Sequence, residues 1–391
     1  MLYLVVIISL LALSYYYDVL GTEKGKSLWL NVMMLLFILI SGLRYHVGGD
    51  TFEYIDRFYY ETPNLNEISL DDIHYGMDPL FLLLNSLVYS LGLKFYFVQL
   101  IQASFINILI FKYISKHTQY VFTTLFFYFI GCYFLYNMEI MRGSMSIVVC
   151  LYANDSFYNK KWIKGVFLVL VAMLFHAQAI IMLLTPLLTF LKFNKRLIIF
   201  LIMAWIISGI IQTLFGDIIN IMSMSSSLEK KAIDYSETDH YGSNAINIRG
   251  MIMYFLGRVL YIVISLHYLK KYKNCRDWQF IETFVVIGLL FMVFENRMGI
   301  FGRFVDFYRI YFAILFASFQ MTLVNRTRGL RKTAYLKSLL VFSIMFFSIG
   351  VDWFYKTSYP LYNPYSSVVV KHVDQNRERL YNKQGIKTFE Y

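Results

Sequence analysis

The sequence contains little charge for its length: Asp, Glu, Lys and Arg make up 16% of 391 residues, whereas hydrophobic residues make up 58%. The mean hydropathy of +0.54 is too high for a water-soluble domain. The apolar residues also fall into runs of about membrane-spanning length. These features exclude an ordinary soluble fold and predict an all-α, polytopic transmembrane helical bundle.

Cysteine is equally scarce. Cys132, Cys150 and Cys275 are odd in number, widely spaced and without a nearby histidine, which excludes a disulfide framework and a metal-binding motif. The sequence also lacks a Gly-rich nucleotide loop, an internal repeat and a cytoplasmic segment large enough for a nucleotide-sugar fold. We therefore expect no cofactor and no metal requirement.

The positive charge of the chain lies mainly in short links. The formal net charge of +11 raises the possibility of nucleic-acid binding, but the lysines lie between apolar runs, which is the positive-inside pattern of membrane proteins. The six links are Glu23 to Lys26, Lys112 to His117, Lys160 to Lys164, Lys192 to Arg196, Lys270 to Arg276 and Asn325 to Lys332. Placing all six in the cytoplasm predicts about twelve spans, within a range of roughly eleven to fourteen, and both termini outside.

This orientation predicts one integral-membrane domain over residues 1–391. The loops 44–78 and 215–250 and the tail 352–391 then lie on the non-cytoplasmic side. The first apolar run, 2–17, is expected to be a retained span because no small-residue cleavage site follows it.

Two apolar runs do not fit as single straight helices. The run 79–111 is long and is interrupted at 91–94, which predicts a broken helix or a half-helix followed by a span. The run 164–191 must begin and end in the cytoplasm, which predicts two short helices that turn near 175–177. Since non-helical backbone at membrane depth is tolerated only against protein or a wet cavity, both breaks predict a cavity facing outward.

Arginines collect at the outer helix ends. They are Arg44, Arg142, Arg249, Arg258, Arg297, Arg303 and Arg309. A guanidinium is planar, binds two phosphate oxygens at once and keeps its charge when partly dehydrated. Loop 44–78 itself, with eight acidic residues against two arginines, is no phosphate-binding surface. The helix ends, and not the loop, are thus the predicted anion site.

Each polar group at these ends has a structural alternative. Arg44 precedes the Gly48–Gly49 bend and Asp50, and the carboxylate either orients the Arg44 cation or serves a substrate. Glu139 lies three residues before Arg142, a spacing that also fits a helical ion pair. A lone membrane histidine such as His176 often only joins helices, although a helix break there would offer it for proton transfer.

The C-terminal half holds two further candidates. Arg303, Asp306 and Arg309 are three residues apart in turn, which predicts one helix face that either is structural or binds an anionic head group. The prolines after Tyr359 predict a rigid, extended segment through Tyr365 along the outer mouth.

Four short motifs occur in order among the spans: Arg44…Val47-Gly48-Gly49-Asp50…Tyr54, Met141-Arg142-Gly143, Phe175-His176-Ala177-Gln178-Ala179 and Asn363-Pro364-Tyr365. In this order they resemble the EpsG-like family of Wzy-type repeat-unit polymerases. The similarity runs over nearly the whole chain. It departs after Arg142, where family members commonly have Gln and a small residue and this chain has Gly143-Ser144.

The resemblance implies a GT-C-like bundle in the bacterial inner membrane, with a cavity facing the periplasm. It implies a glycosyltransferase that makes O-antigen, capsule or exopolysaccharide without a nucleotide sugar. The growing glycan on undecaprenyl diphosphate would be the donor, and one lipid-linked repeat unit would be the acceptor. The partners implied are the lipid bilayer and a chain-length regulator. No nucleic acid is expected.

For that reaction we expect His176 or Asp50 to act as the base and the configuration at the anomeric carbon to invert. We expect Arg44, Arg142 and Arg303 to hold the diphosphate. Weaker candidates for substrate binding are Arg258, Arg297, Arg309, Glu139 and Tyr365. The rivals are a lipid-linked oligosaccharide flippase, which calls for repeat symmetry, and an O-antigen ligase, which calls for a basic outer loop. Loop 215–250 instead has five acidic residues against three basic ones.

Overall fold

The structure is a computed structural model that describes residues 2–73, 77–205, 259–272, 275–295, 300–326, 333, 335, 359–372 and 374–377. Every named element in these residues is helical, and an isolated antiparallel bridge joins Arg44 to Ser367. The prediction of an all-α fold is thus confirmed for the described part of the chain. The chain forms two compact units, Met1–Leu183 with Gly350–Tyr391 (unit 1) and Leu184–Ile349 (unit 2).

The described residues of unit 1 form nine α-helices of at least four residues. They are α1 (Leu2–Leu13), α2 (Lys26–Gly42), α3 (Thr51–Tyr60), α4 (Pro79–Ser90), α5 (Tyr96–His117), α6 (Val121–Tyr128), α7 (Met141–Tyr158), α8 (Trp162–Phe175) and, in the tail, α14 (Tyr359–Tyr362). Wider π-helical turns extend α1 over Ser14–Val19 and follow α6 over Phe129–Tyr133 and Leu135–Glu139.

Three helices in the described residues are long and apolar enough to cross a membrane. They are Leu2–Val19, Tyr96–His117 and Trp278–Glu295. Five shorter apolar helical stretches, such as Lys26–Gly42 and Trp162–Phe175, accompany them. The chain is therefore a membrane protein by length and composition, and the number of about twelve spans stays a prediction.

The packing of unit 1 fixes which helix ends lie together. Helix α2 runs antiparallel to α5, since a Cβ on Gly42 would lie 2.8 Å from Leu100 Cδ1 while Phe37 packs on Phe111 with ring centroids 5.3 Å apart. Helix α7 runs parallel to α5, because Gln102 donates to Ser144 at 3.3 Å and Tyr113 donates to Asp155 at 3.3 Å.

Helix α8 returns antiparallel along α7. Its start packs Gly165 on Phe157, and its end brings His176 near Gly143. The end of α2, the starts of α5 and α7 and the end of α8 therefore meet at one end of unit 1, which we call the site end. At the opposite end lie three of the predicted cytoplasmic links, those before α2, after α5 and after α7, as the predicted orientation requires.

Both predicted helix breaks in the described residues are present. Helix α4 ends in a Schellman-type cap, in which Gly92 has a φ of +67° and Leu93 N–H donates to Val88 O at 3.2 Å, before α5 begins. Helix α8 ends at Phe175, His176 is extended with a φ of −160°, and a 3₁₀ helix runs over Ala177–Leu184. Both breaks lie where the sequence predicted them.

The prediction of an extended segment in the C-terminal tail is wrong. Tyr359–Tyr362 is a short helix and not an extended segment. Pro360 lies in its first turn, where the backbone N–H that proline lacks has no helical acceptor, so the residue does not prevent the helix.

The described residues of unit 2 contain a short helix, α9 (Thr185–Leu188), helical residues 195–205 and four further helices. These are α10 (Leu260–Tyr272), α11 (Trp278–Glu295), α12 (Ile300–Asp306) and α13 (Arg309–Arg326). Aromatic rings fill the contact between α11 and α13, where Phe284 stacks on Tyr311 at 4.8 Å.

We expect Gly165→Ala to destabilise unit 1 by about 1–3 kcal/mol, the usual range for overpacking. A Cβ at Gly165 would lie 2.3 Å from the buried Phe157 ring. Gly143→Ala is the matched control on the same α7–α8 contact, because its Cβ would lie 3.5 Å from the nearest atom. The measurement is the thermal unfolding midpoint in detergent, and equal midpoints for the two variants would contradict the packing.

Candidate active site

Three charged or ionisable side chains meet at the site end of unit 1. Arg142 Nη1, in the first turn of α7, lies 2.6 Å from Asp78 Oδ2, just before α4. His176 Nδ1, at the end of α8, lies 3.6 Å from the same oxygen. Their side chains are 13%, 14% and 15% exposed, so the cluster is nearly buried but still open to solvent.

The Asp78 carboxylate is oriented by the break in α8. Its Oδ1 accepts a hydrogen bond from Ala177 N–H at 3.3 Å. Burial alone would raise the pKa of Asp78, but the interactions with His176 and then with Arg142 outweigh it and hold the pKa below its usual value. Asp78 is therefore an anion at neutral pH and faces two possible cations.

The environment of His176 favours one tautomer. The carboxylate of Asp78 faces Nδ1 and favours a proton there, which leaves Nε2 as the basic nitrogen. Nε2 lies 3.0 Å from Gln178 Oε1, and a flip of this amide would present its N–H to the basic nitrogen instead. His176 thus has the arrangement of a general base that a carboxylate orients.

Tyr54 of α3 completes the surroundings of Arg142. Its hydroxyl accepts a hydrogen bond from the guanidinium, and the tyrosine is 8% exposed. Burial raises the pKa of Tyr54, so the phenol stays protonated. The Arg142 guanidinium is consequently bound both by Tyr54 of α3 and by Asp78 at the start of α4.

Glu139 organises the bend that precedes α3. Its carboxylate accepts hydrogen bonds from Gly49 N–H at 2.7 Å, from Asp50 N–H at 3.0 Å and from the Tyr362 hydroxyl. The expected alternative of a helical pair between Glu139 and Arg142 is not what the structure shows. Ile140 interrupts the helix with a ψ of 60°, and Arg142 takes Asp78 as its carboxylate partner.

Gly48 allows this bend to form. Its φ is +112°, and a Cβ there would lie 2.8 Å from Met138 O. Any other residue would therefore be strained and would also clash. The Asp50 side chain, by contrast, is exposed at the start of α3.

Arg44 lies beneath the bend and is fully buried. Its guanidinium donates to Ser41 O at 2.6 Å, to Val47 O at 3.1 Å and to Met141 Sδ at 3.4 Å. The expected pairing of Arg44 with Asp50 is therefore not formed. Burial lowers the pKa of Arg44, while the charge of Glu139 opposes this shift. Phosphate binding by Arg44 stays a prediction.

The C-terminal tail lies across the same bend. Gly48 N–H donates to Leu361 O at 3.0 Å, and Tyr365, one of the predicted substrate contacts, donates its hydroxyl hydrogen to Ile40 O at 3.1 Å. Arg377 is buried and donates to His46 O at 2.9 Å, to Pro360 O at 3.2 Å and to Pro364 O. The tail is thus part of the site end.

A family model matches residues 27–367, and its description is the EpsG family. The chain belongs to the EpsG family. No curated protein and no solved structure matched the chain. Because the match includes Asp78, Arg142 and His176, the cluster belongs to the EpsG region, while Arg377 lies beyond the matched residues.

The second arginine group of this EpsG-family chain lies in unit 2. Arg309 donates to Asp306, and Arg303 contributes to the electrostatic surroundings of that carboxylate. The expectation of one continuous helix face is wrong, since α12 ends at Asp306 and α13 begins at Arg309. The intervening turn has i→i−3 hydrogen bonds, such as Tyr308 N–H to Val305 O at 2.8 Å.

Three of the predicted arginines, Arg249, Arg258 and Arg297, lie outside the described residues. Two residues near Arg142 were not predicted as part of the site. Asp78 was counted only among the acids of loop 44–78, and Tyr54 only as part of a motif. The sequence signal for Asp78 is its place immediately before Pro79, where a helix begins.

We expect acid to destabilise the site end through His46, which is buried. Burial and the charge of Arg377 lower the pKa of His46 from 6.5 to about 4. Between these values the unfolded chain binds a proton that the folded chain excludes, so stability should fall as the pH drops through this range.

His46→Asn should lose less stability than wild type between pH 7 and pH ~4.5, in unfolding midpoints measured in detergent. Asn suits this position because the φ of residue 46 is +50°, a conformation that Asn tolerates. An equal acid-induced loss in both proteins would contradict the assignment.

Proposed function

We propose that this protein is a membrane glycosyltransferase that polymerises lipid-linked repeat units. It transfers the growing glycan from undecaprenyl diphosphate to the repeat unit of a second undecaprenyl diphosphate at the periplasmic face of the inner membrane. Membership of the EpsG family supports polysaccharide polymerisation in general. The donor, the acceptor, the orientation and the residue roles belong to the proposal.

The observation that carries the proposal is the Asp78–Arg142–His176 cluster. It combines a guanidinium suited to phosphate oxygens with an imidazole that a carboxylate orients, 2.6 and 3.6 Å from one carboxylate oxygen. It lies where α8 breaks, and the broken backbone is satisfied by the cluster itself, through Ala177 N–H and Asp78. A purely structural helix contact does not call for an acid, a base and a cation with residual exposure.

In the proposed reaction Arg142 binds the diphosphate of the donor. As the glycosidic bond breaks, negative charge grows on the leaving oxygen, and a cation that binds it more strongly then lowers the barrier. His176 Nε2 takes the proton of the acceptor hydroxyl. A single displacement of this kind inverts the configuration at the anomeric carbon.

Asp50 is the alternative base. Its exposed side chain at the start of α3 is accessible to an acceptor hydroxyl, whereas its backbone N–H is fixed by Glu139. His176 is the preferred base because Asp78 orients its ring and because it lies next to Arg142 in the cluster. The proposed diphosphate contacts of Arg303, Arg258, Arg297 and Arg309 stay predictions.

Two other activities would use a similar cation. A lipid-linked oligosaccharide flippase needs no base, so it leaves the oriented His176 without a role. An O-antigen ligase shares the chemistry but transfers a finished glycan to a lipid core. A deletion strain separates these activities. If the protein is a polymerase, the strain should carry one repeat unit per anchor, and if it is a flippase or a ligase, the strain should carry no surface glycan.

We expect Arg142→Ala and His176→Ala each to lower polymerisation at least about 10²-fold, because each removes a group that acts in the transition state. The measurement is the glycan ladder that protein purified into nanodiscs makes from lipid-linked repeat units. Lys161→Ala, an exposed change at the opposite end of unit 1, should keep wild-type activity. Full-length ladders from both site variants, at normal protein levels, would refute the proposed chemistry.

The orientation is tested by cysteine labelling, for which the buried Cys132, Cys150 and Cys275 give little background. Glu67→Cys, at an exposed position on the loop before α4, should react in intact spheroplasts with a membrane-impermeant maleimide. Lys161→Cys, exposed in the link before α8, should react only after the membrane is opened. The reverse pattern would place the cluster on the cytoplasmic side.

A further inference from the structure

A single carboxylate oxygen serves both functional groups of the cluster. Asp78 Oδ1 is held by Ala177 N–H at 3.3 Å, so Oδ2 points between Arg142 Nη1 at 2.6 Å and His176 Nδ1 at 3.6 Å. The first distance is a short charge-assisted hydrogen bond, and the second is just too long for one. His176 Nδ1 is buried and has no hydrogen-bond partner.

The arrangement leaves Arg142 mostly neutralised before reaction. With His176 uncharged, the Asp78 anion cancels the nearby cation and occupies one edge of the guanidinium. Tyr54 holds another part of it. In this state Arg142 binds the donor diphosphate only weakly, since the anion has to compete with a carboxylate already in place.

Protonation of His176 changes the balance of charge. The imidazolium has an N–H at Nδ1 and a positive charge, and it competes with Arg142 for Asp78 Oδ2. A movement of roughly 0.5–1 Å brings this contact to hydrogen-bond length. Ala177 N–H keeps the carboxylate attached to the end of α8 during that movement, while Tyr54 keeps Arg142 oriented.

We infer that Asp78 is a shared counter-ion that moves from Arg142 to His176 during the reaction and so releases the Arg142 guanidinium to the leaving diphosphate. The inference rests on the proposed function. It makes Asp78 a positioning residue, which acts through two catalytic groups and does not itself contact the substrate.

The charges balance at each stage. The acceptor oxygen forms a bond to the anomeric carbon, the bond from that carbon to the diphosphate oxygen breaks, and its electron pair stays on the phosphate. The hydroxyl proton passes to His176 Nε2, in place of the Gln178 contact at 3.0 Å. One positive charge appears on His176 as one negative charge appears on the diphosphate, and Asp78 and Arg142 then each face the new opposite charge.

The inference separates two quantities that an ordinary ion pair would change together. Asp78→Asn removes the anion that competes at Arg142, so product binding should strengthen. It also removes the support for the imidazolium, so turnover should fall. If Asp78 only held Arg142 in place, both binding and turnover would weaken.

The experiment compares turnover with the affinity for undecaprenyl diphosphate, measured by direct binding to protein in nanodiscs. For Asp78→Asn we expect about 10²-fold lower kcat and about 3–10-fold tighter binding. His176→Asn should lose a similar part of kcat and bind within about twofold of wild type, because Asp78 stays on Arg142. Asp71→Asn, the same charge change at an exposed position of the same loop, should leave both quantities unchanged.

Weaker or equal binding by Asp78→Asn would overturn the inference, as would undiminished kcat. If Asp78→Asn does not fold, Asp78→Glu gives the answer. It keeps the charge but displaces the oxygens, so it should lower kcat without tightening binding, and tighter binding would count against the shared role.

The two proposals fail in different measurements. If wild-type protein makes no polymer from lipid-linked repeat units, the proposed function is wrong, and the binding comparison alone still decides whether Asp78 competes with a diphosphate for Arg142. If polymer forms normally but Asp78→Asn binds undecaprenyl diphosphate no better than wild type, the polymerase stands and the shared counter-ion is wrong.

Discussion

The site end of unit 1 depends on one constraint: backbone N–H and C=O groups that lose their helical partners at a break must find other hydrogen-bond partners. Charged side chains meet this need. Asp78 accepts from Ala177 N–H at the break in α8, and Glu139 accepts from Gly49 and Asp50 N–H before α3. Arg44 donates to the carbonyls of Ser41 and Val47 in the adjoining turn.

These contacts show why a charge-poor sequence places partly or fully buried acids and arginines at this end. An acid or arginine buried without partners would be costly, but one that satisfies broken backbone offsets its own dehydration in part. Asp78 does so with one oxygen and leaves the other for Arg142 and His176. The same helix break therefore both requires a carboxylate and supplies the geometry in which that carboxylate reaches two functional groups.

Much of the fold of unit 1 follows from local sequence. Hydrophobic runs predict the helices, Gly92 marks one break, and the length and charge of the links predict the break at 175–177. The contact of Arg142 with Asp78 cannot be predicted from local sequence, because the two residues are 64 apart and meet only once α3 and α4 have packed. For the same reason the local sequence suggests Arg142 as the partner of Glu139, whereas the Glu139 carboxylate accepts from a backbone N–H 90 residues earlier.

The attachment of the tail by Arg377 has a consequence for biosynthesis. The bend at His46 receives its guanidinium partner 331 residues later in the chain, and Tyr3 donates to Tyr362 O across 359 residues. Since a membrane protein is inserted from its N-terminus, these bonds can form only after Arg377 has been synthesised. An incomplete chain therefore lacks the finished site end, and a truncated or stalled product should be inactive.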